Sequence, residues 1–81
     1  MSLYTLKGLD ETVERRLSDH SLAVAQTLEA EGVGTELLSR RTIEALIRLA
    51  ADAKGFGGYV KVDTVFRDLI KSDFLEVVET R

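Results

Sequence analysis

The sequence predicts a mainly α-helical single domain, a small bundle of three to four helices with one glycine-rich loop, and three observations carry that expectation. Apolar residues recur at helical spacing over about residues 10–31, 36–54 and 63–79. The chain contains no proline, so nothing in it forbids long helices. Three of its six glycines bunch in one break, Lys54-Gly55-Phe56-Gly57-Gly58-Tyr59-Val60-Lys61-Val62-Asp63, where the backbone is released beside two aromatics that still need cover. That break reads as a hinge, a recognition element or a plain connection. At 81 residues one domain spans the chain.

Residues 1–9 form a short extended arm, in which Leu3 to Leu9 alternate weakly up to Gly8. Asp10 then caps the first helix, with Glu11 and Glu14 where the helix dipole favours negative charge. Val13, Leu17, Val24 and Leu28 make its stripe, Leu22 and Ala25 widen it, and Gly32 and Gly34 stop it after Glu31. Thr35 or Ser39 caps the second helix, whose apolar face is Ile43, Leu46, Ile47, Ala50 and Ala53 with Leu49 alongside. Lys54 and Gly55 end it. Asp63 caps the third.

At Ser72-Asp73 two continuations stand open. A continuing helix puts Phe66, Ile70, Phe74 and Val77 on one face, whereas a stop leaves Phe74–Thr80 β-branched enough for a strand paired with Tyr59–Val62. The lack of Gly and Pro from Tyr59 onward favours the helix to residue 79. The strand gives the alternative fold, a winged-helix-like α+β domain.

Bulk properties bound the function. A domain of this size holds only about 4–12 kcal/mol of stability and commonly needs a supplement. The absence of cysteine excludes disulfides and thiolate metal sites, and a single histidine speaks against a protein-only zinc site. Oligomerisation is the supplement left. No apolar run is long enough for a membrane span and no secretory signal pattern opens the chain, so the expected location is cytoplasmic. A net charge of −3 argues against non-specific nucleic-acid binding as the main activity.

No catalytic, cofactor or metal motif emerges, and the chain is read as non-enzymatic. His20 falls on or beside the first stripe, as a partly buried structural histidine. The adjacent Asp19 cannot form a dyad with it, because helical neighbours point about 100° apart. Gly55-Phe56-Gly57-Gly58 follows a helix and lacks the Lys and hydroxyl residue of a phosphate loop. No carboxylate pair sits in an apolar setting; Glu11 with Arg15 and Glu44 with Arg48 read as solvated helix pairs. Arg40, Arg41, Arg48, Lys61 and Arg67 are the candidates for phosphate contact, if the second and third helices bring them to one surface.

The order IEALIRLAADAKG, GYVKVD, TVFRDLIKS and FLEVVET, from Ile43 to Thr80, resembles the first half of a winged-helix domain. It is similar in particular to the N-terminal lobe of RNA 2′-phosphotransferases, which has a Gly-aromatic-Val-x-Val-Asp turn opening a helix and a Glu-Val-Val-Glu run after it. The likeness covers under half of the chain. Leu46-Ile47-Arg48-Leu49 lacks that family's arginine-histidine pair and the catalytic lobe has no counterpart, so the resemblance implies a fold and carries no activity or site residue.

Two functions follow. The apolar surplus of the first and third segments points to a non-catalytic protein-protein interaction module, a homodimer or the partner of another helical protein, with Leu22, Phe66, Ile70 and Phe74 at the interface. The alternative is a small DNA-binding transcriptional regulator of helix-turn-helix or winged-helix type.

Overall fold

A computed structural model describes residues 2–33 and 36–79. Its elements run β1 (Ser2–Leu6), α1 (Glu11–Arg16), α2 (Asp19–Ala30), β2 (Leu38–Ser39), α3 (Arg40–Ala53), α4 (Val62–Lys71) and β3 (Leu75–Glu79). Four helices and a three-stranded antiparallel sheet make this a mixed α+β fold, which corrects the helical bundle and agrees with the α+β alternative. Gly34, read as a helix stop, Thr35, read as a cap, and Thr80 lie outside the described residues, as do Met1 and Arg81.

The N-terminal arm is the middle of the sheet. β1 pairs with β2 through Leu3↔Ser39 and Tyr4↔Leu38, and with β3 from Ser2↔Glu79 to Leu6↔Leu75. Lys7 N–H extends the second ladder to the Phe74 carbonyl at 2.8 Å. Strand alternation puts Tyr4 and Leu6 of β1 on one face with their partners Val77 and Leu75. That face meets the helices: the Tyr4 ring packs edge-on against Phe66 of α4 with centroids 5.2 Å apart. Leu6 and Leu75 join Val13, Val24, Leu28, Ile43, Ile47, Val65, Leu69 and Phe74 in the core.

Several sequence expectations are corrected here. The helix over 10–31 is two helices, because Leu17 and Ser18 are extended (ψ 141° and 164°). Ser18 donates its hydroxyl to Asp68 of α4 at 3.2 Å, and buried Ser21 donates to the same carboxylate at 2.8 Å. A contact 50 residues distant in sequence thus fixes the break. Asp10 caps α1 as its sequence suggests, accepting from Val13 N–H at 2.8 Å.

The helix over 63–79 stops at Lys71. Ser72, fully buried, donates to the Leu69 carbonyl at 2.9 Å and accepts from Phe74 N–H at 3.2 Å, while Asp73 takes a left-handed φ of 73°. The chain then turns into β3, which pairs with β1 and not with Tyr59–Val62. Tyr59 lies in a turn and Val62 already belongs to α4. The cap of α4 is Lys61, without a side-chain bond, and the Asp63 carboxylate goes to arginines instead.

The second helix is α3, begun by Ser39, whose hydroxyl accepts from Thr42 N–H at 3.2 Å, so residues 36–38 stay outside it. Its end at Lys54-Gly55 follows the sequence: Gly55 has φ 83°, and Gly55 and Phe56 N–H return to the Asp52 and Ala51 carbonyls at 3.0 Å each. Next, Gly57 passes so near α3 that a β-carbon there would lie 1.8 Å from the Asp52 carboxylate. A larger residue there would require the exposed Asp52 side chain to swing aside.

Candidate nucleic-acid interface

Two of the depressions beside α4 face α3 and the sheet. One is an open cleft of about 760 Å³ between α3, the glycine-rich loop and the start of α4, with Glu44, Arg48, Asp52, Lys61 and Asp63 on its walls. The other is a notch of about 310 Å³ where α4 meets the sheet, walled by Tyr4, Arg40, Phe66, Arg67, Lys71 and Val77. Asp63 stands between them.

Side-chain geometry ties the two together. Arg40 at the start of α3 reaches Asp63 Oδ1 with Nη2 at 2.6 Å, and Arg67 one turn along α4 reaches Asp63 Oδ2 with Nη2 at 2.9 Å. The Arg40 guanidinium also lies 4.5 Å over the Phe66 ring and 3.5 Å from Glu44. A cation over an aromatic face, with the ring itself braced by Tyr4, holds the Arg40 head in one place.

Of the five cations singled out in the sequence, the fold joins Arg40 with Arg67 at the notch and Arg48 with Lys61 at the cleft. Arg41, exposed, lines neither. Arg48 does not pair with Glu44, because Glu44 turns toward Arg40 four residues the other way. Lys71 was not singled out, yet it follows Arg67 by four residues and so shares its side of α4.

Charge divides along the chain. Arg40–Lys71 holds seven Lys and Arg against four Asp and Glu, while the rest holds four against ten. Within the basic segment Glu44 and Asp63 are engaged by arginines and Asp68 by two serines. Among the described residues, Arg41, Arg48, Lys54, Lys61 and Lys71 have no carboxylate within ion-pair distance.

The apolar residues assigned to an interface fare differently. Phe74 is fully buried and Phe66 is 4% exposed, both in the core, because the sheet centred on β1 needs cover from α4. Leu22 and Ile70 are half-buried. The surplus is thus largely absorbed within one chain, and the large apolar side chains left exposed are Leu37, Leu49, Tyr59 and Val77 among the described residues. Leu49, 65% exposed, edges a groove between α2 and α3 formed by Leu28, Val33, Leu46, Ala50 and Ala53.

His20 is exposed, not partly buried, and its ring stacks on Phe56 at 4.5 Å, pinning the glycine-rich loop to α2. Among the described residues, no cluster of three or more His, Asp or Glu side chains could hold a metal ion, and no helix is long and apolar enough to cross a membrane. Comparison with known families, with curated proteins and with solved structures finds no match to this chain.

Proposed function

We propose that this protein is a small DNA-binding module that sets the outer side of α4 and the first turn of α3 against duplex DNA. The observation that carries the reading is the division of charge, with an excess of cations concentrated in Arg40–Lys71 and most of that segment's acids already engaged inside the chain. A net negative chain can bind phosphates when its positive charge is gathered in one region. Lys61, Thr64, Arg67 and Lys71 recur every three to four residues and are exposed, so one side of α4 carries three cations and a hydroxyl, with Asp68 at its edge held by Ser18 and Ser21. An α-helix with its side chains is about 10–12 Å across, a fit to a major groove roughly 12 Å wide.

Fold analogy supports the same reading. The run α2, β2, α3, α4, β3, with β1 inserted antiparallel between β2 and β3, is similar in order to a winged-helix domain, with the central strand taken from the N-terminal arm. Analogy of this kind raises expectation and assigns no residue.

Fluorescence anisotropy with a mixed-sequence duplex tests the proposal. Binding in the range of about 10⁻⁴–10⁻⁶ M is expected near physiological salt, tightening as salt falls. The double substitution Lys61→Glu and Lys71→Glu should abolish it. Absence of binding at low salt, or equal binding by that variant, overturns the reading.

A second reading, self-association through helix faces, keeps one observation in its favour: Leu49 stands beside an apolar groove on the same surface, so two copies related by a twofold axis each offer a knob and a hole. Sedimentation equilibrium should then show a dimer that Leu49→Glu converts to monomer. A wild-type protein that is monomeric at high concentration removes it.

A further inference from the structure

We infer that Arg40 and Arg67 form a binding site for a single backbone phosphate, which Asp63 fills from within the chain until nucleic acid displaces it. The inference rests on the DNA-binding reading and adds the atoms that recognise the phosphate. Each Asp63 carboxylate oxygen takes one guanidinium: Oδ1 from Arg40 at 2.6 Å, Oδ2 from Arg67 at 2.9 Å. A phosphodiester offers the same pattern, one negative charge shared by two non-bridging oxygens, and arginine forks suit it.

The surroundings suit exchange. Phe66 and Tyr4 fix the Arg40 head at the notch wall, so half of the site is formed before ligand arrives. The Arg67 side chain is 70% exposed and the Asp63 side chain 46%, so one can swing to meet a phosphate and the other can be left in water at small cost. Lys71 on the same notch adds a third cation. Two guanidiniums here face two carboxylates, Asp63 and, 3.5 Å from Arg40, Glu44, so the excess positive charge at the notch is supplied by Lys71.

Removing the internal competitor should therefore strengthen binding. Asp63→Asn is compared with wild type and with Glu76→Gln, which makes the same charge change on exposed β3, by anisotropy on a short duplex across a salt series. Asp63→Asn should bind roughly five- to thirty-fold tighter than wild type at low salt, as expected from releasing two exposed ion pairs, with Glu76→Gln gaining far less. Its salt slope should steepen by about one contact. Inorganic phosphate at matched ionic strength should compete weakly in wild type and more strongly in Asp63→Asn, if the site takes free phosphate as well as a phosphodiester.

A gain for Asp63→Asn no larger than that for Glu76→Gln overturns the inference and leaves DNA binding standing. If neither wild type nor any variant binds at low salt, the DNA-binding reading fails and the site with it. Circular dichroism reports whether Asp63→Asn is folded. Should it not fold, Arg40→Gln against Arg15→Gln on exposed α1 decides: a larger loss of affinity at Arg40 supports the site, and equal losses overturn it.

Discussion

α3 and α4 end in the same backbone geometry by different chemistry. At the end of α3 a glycine supplies the left-handed residue, and backbone N–H groups of Gly55 and Phe56 satisfy the last carbonyls directly at 3.0 Å. At the end of α4 an aspartate supplies it, with φ 73° at Asp73, and only the first of the two bonds is direct, from Asp73 N–H to Ile70 at 3.1 Å. The second passes through the Ser72 hydroxyl, which gives to Leu69 and takes from Phe74. One stop is backbone alone at the surface; the other depends on a buried side chain. A helix can thus be ended without glycine or proline when a hydroxyl relays the bond that the backbone does not make.

The sharpest way to break the comparison is Ser72→Ala. That change leaves the buried Phe74 N–H and the Leu69 carbonyl without their partner, at a cost of about 1–3 kcal/mol. Urea unfolding should show a lowered midpoint at unchanged slope, whereas Thr64→Ala on the exposed side of α4 should move it little. Equal midpoints for Ser72→Ala and wild type would mean that the relay holds nothing. Because β3 begins three residues later, the same substitution should also loosen the amides of Glu76 to Val78 in hydrogen exchange.

The same contrast separates what could be read in the sequence from what could not. α3 was legible at both ends, since Ser39 and Gly55 are local signals that act on their own neighbours. The ends of α1 and α4 were not. Leu17-Ser18 breaks through a bond from Ser18 to Asp68 that no local window contains, and Phe66, Ile70, Phe74 and Val77 fit a helical face although the chain leaves the helix midway. A five-residue strand buried at its first residue and a short helical stripe differ too little to separate without knowing that β1 waits as its partner.

Missing the sheet carried over to the candidate site. Phe66 and Phe74 read as surplus because the sequence does not mark the extended arm and the alternative strand over Phe74–Thr80 as each other's partners. Arg40 and Arg67 were legible as cations, but Asp63 read as a helix cap, and its place between two arginines 23 residues and four residues away depends on how α3 and α4 cross.

A reciprocal exchange sharpens the comparison with smaller effects. Gly55→Ala forces a β-carbon into the left-handed region with open space around it, so the cost is backbone strain alone, about 1–2 kcal/mol. Asp73→Gly removes the same kind of strain and should be stabilising. Its gain is reduced by a few tenths of a kcal/mol through loss of the exposed Arg16–Asp73 ion pair at 2.7 Å, leaving roughly 0.5–1 kcal/mol. Thermal melts should therefore shift in opposite directions, downward for Gly55→Ala and upward by the smaller amount for Asp73→Gly. If both shift downward, Asp73 contributes through its carboxylate more than it costs through its backbone, and the two helix ends are not equivalent in geometry but only in appearance. Arg16→Ala decides between these: with the ion pair worth little it leaves the melt nearly unchanged, and with a strong pair it reproduces the loss seen in Asp73→Gly.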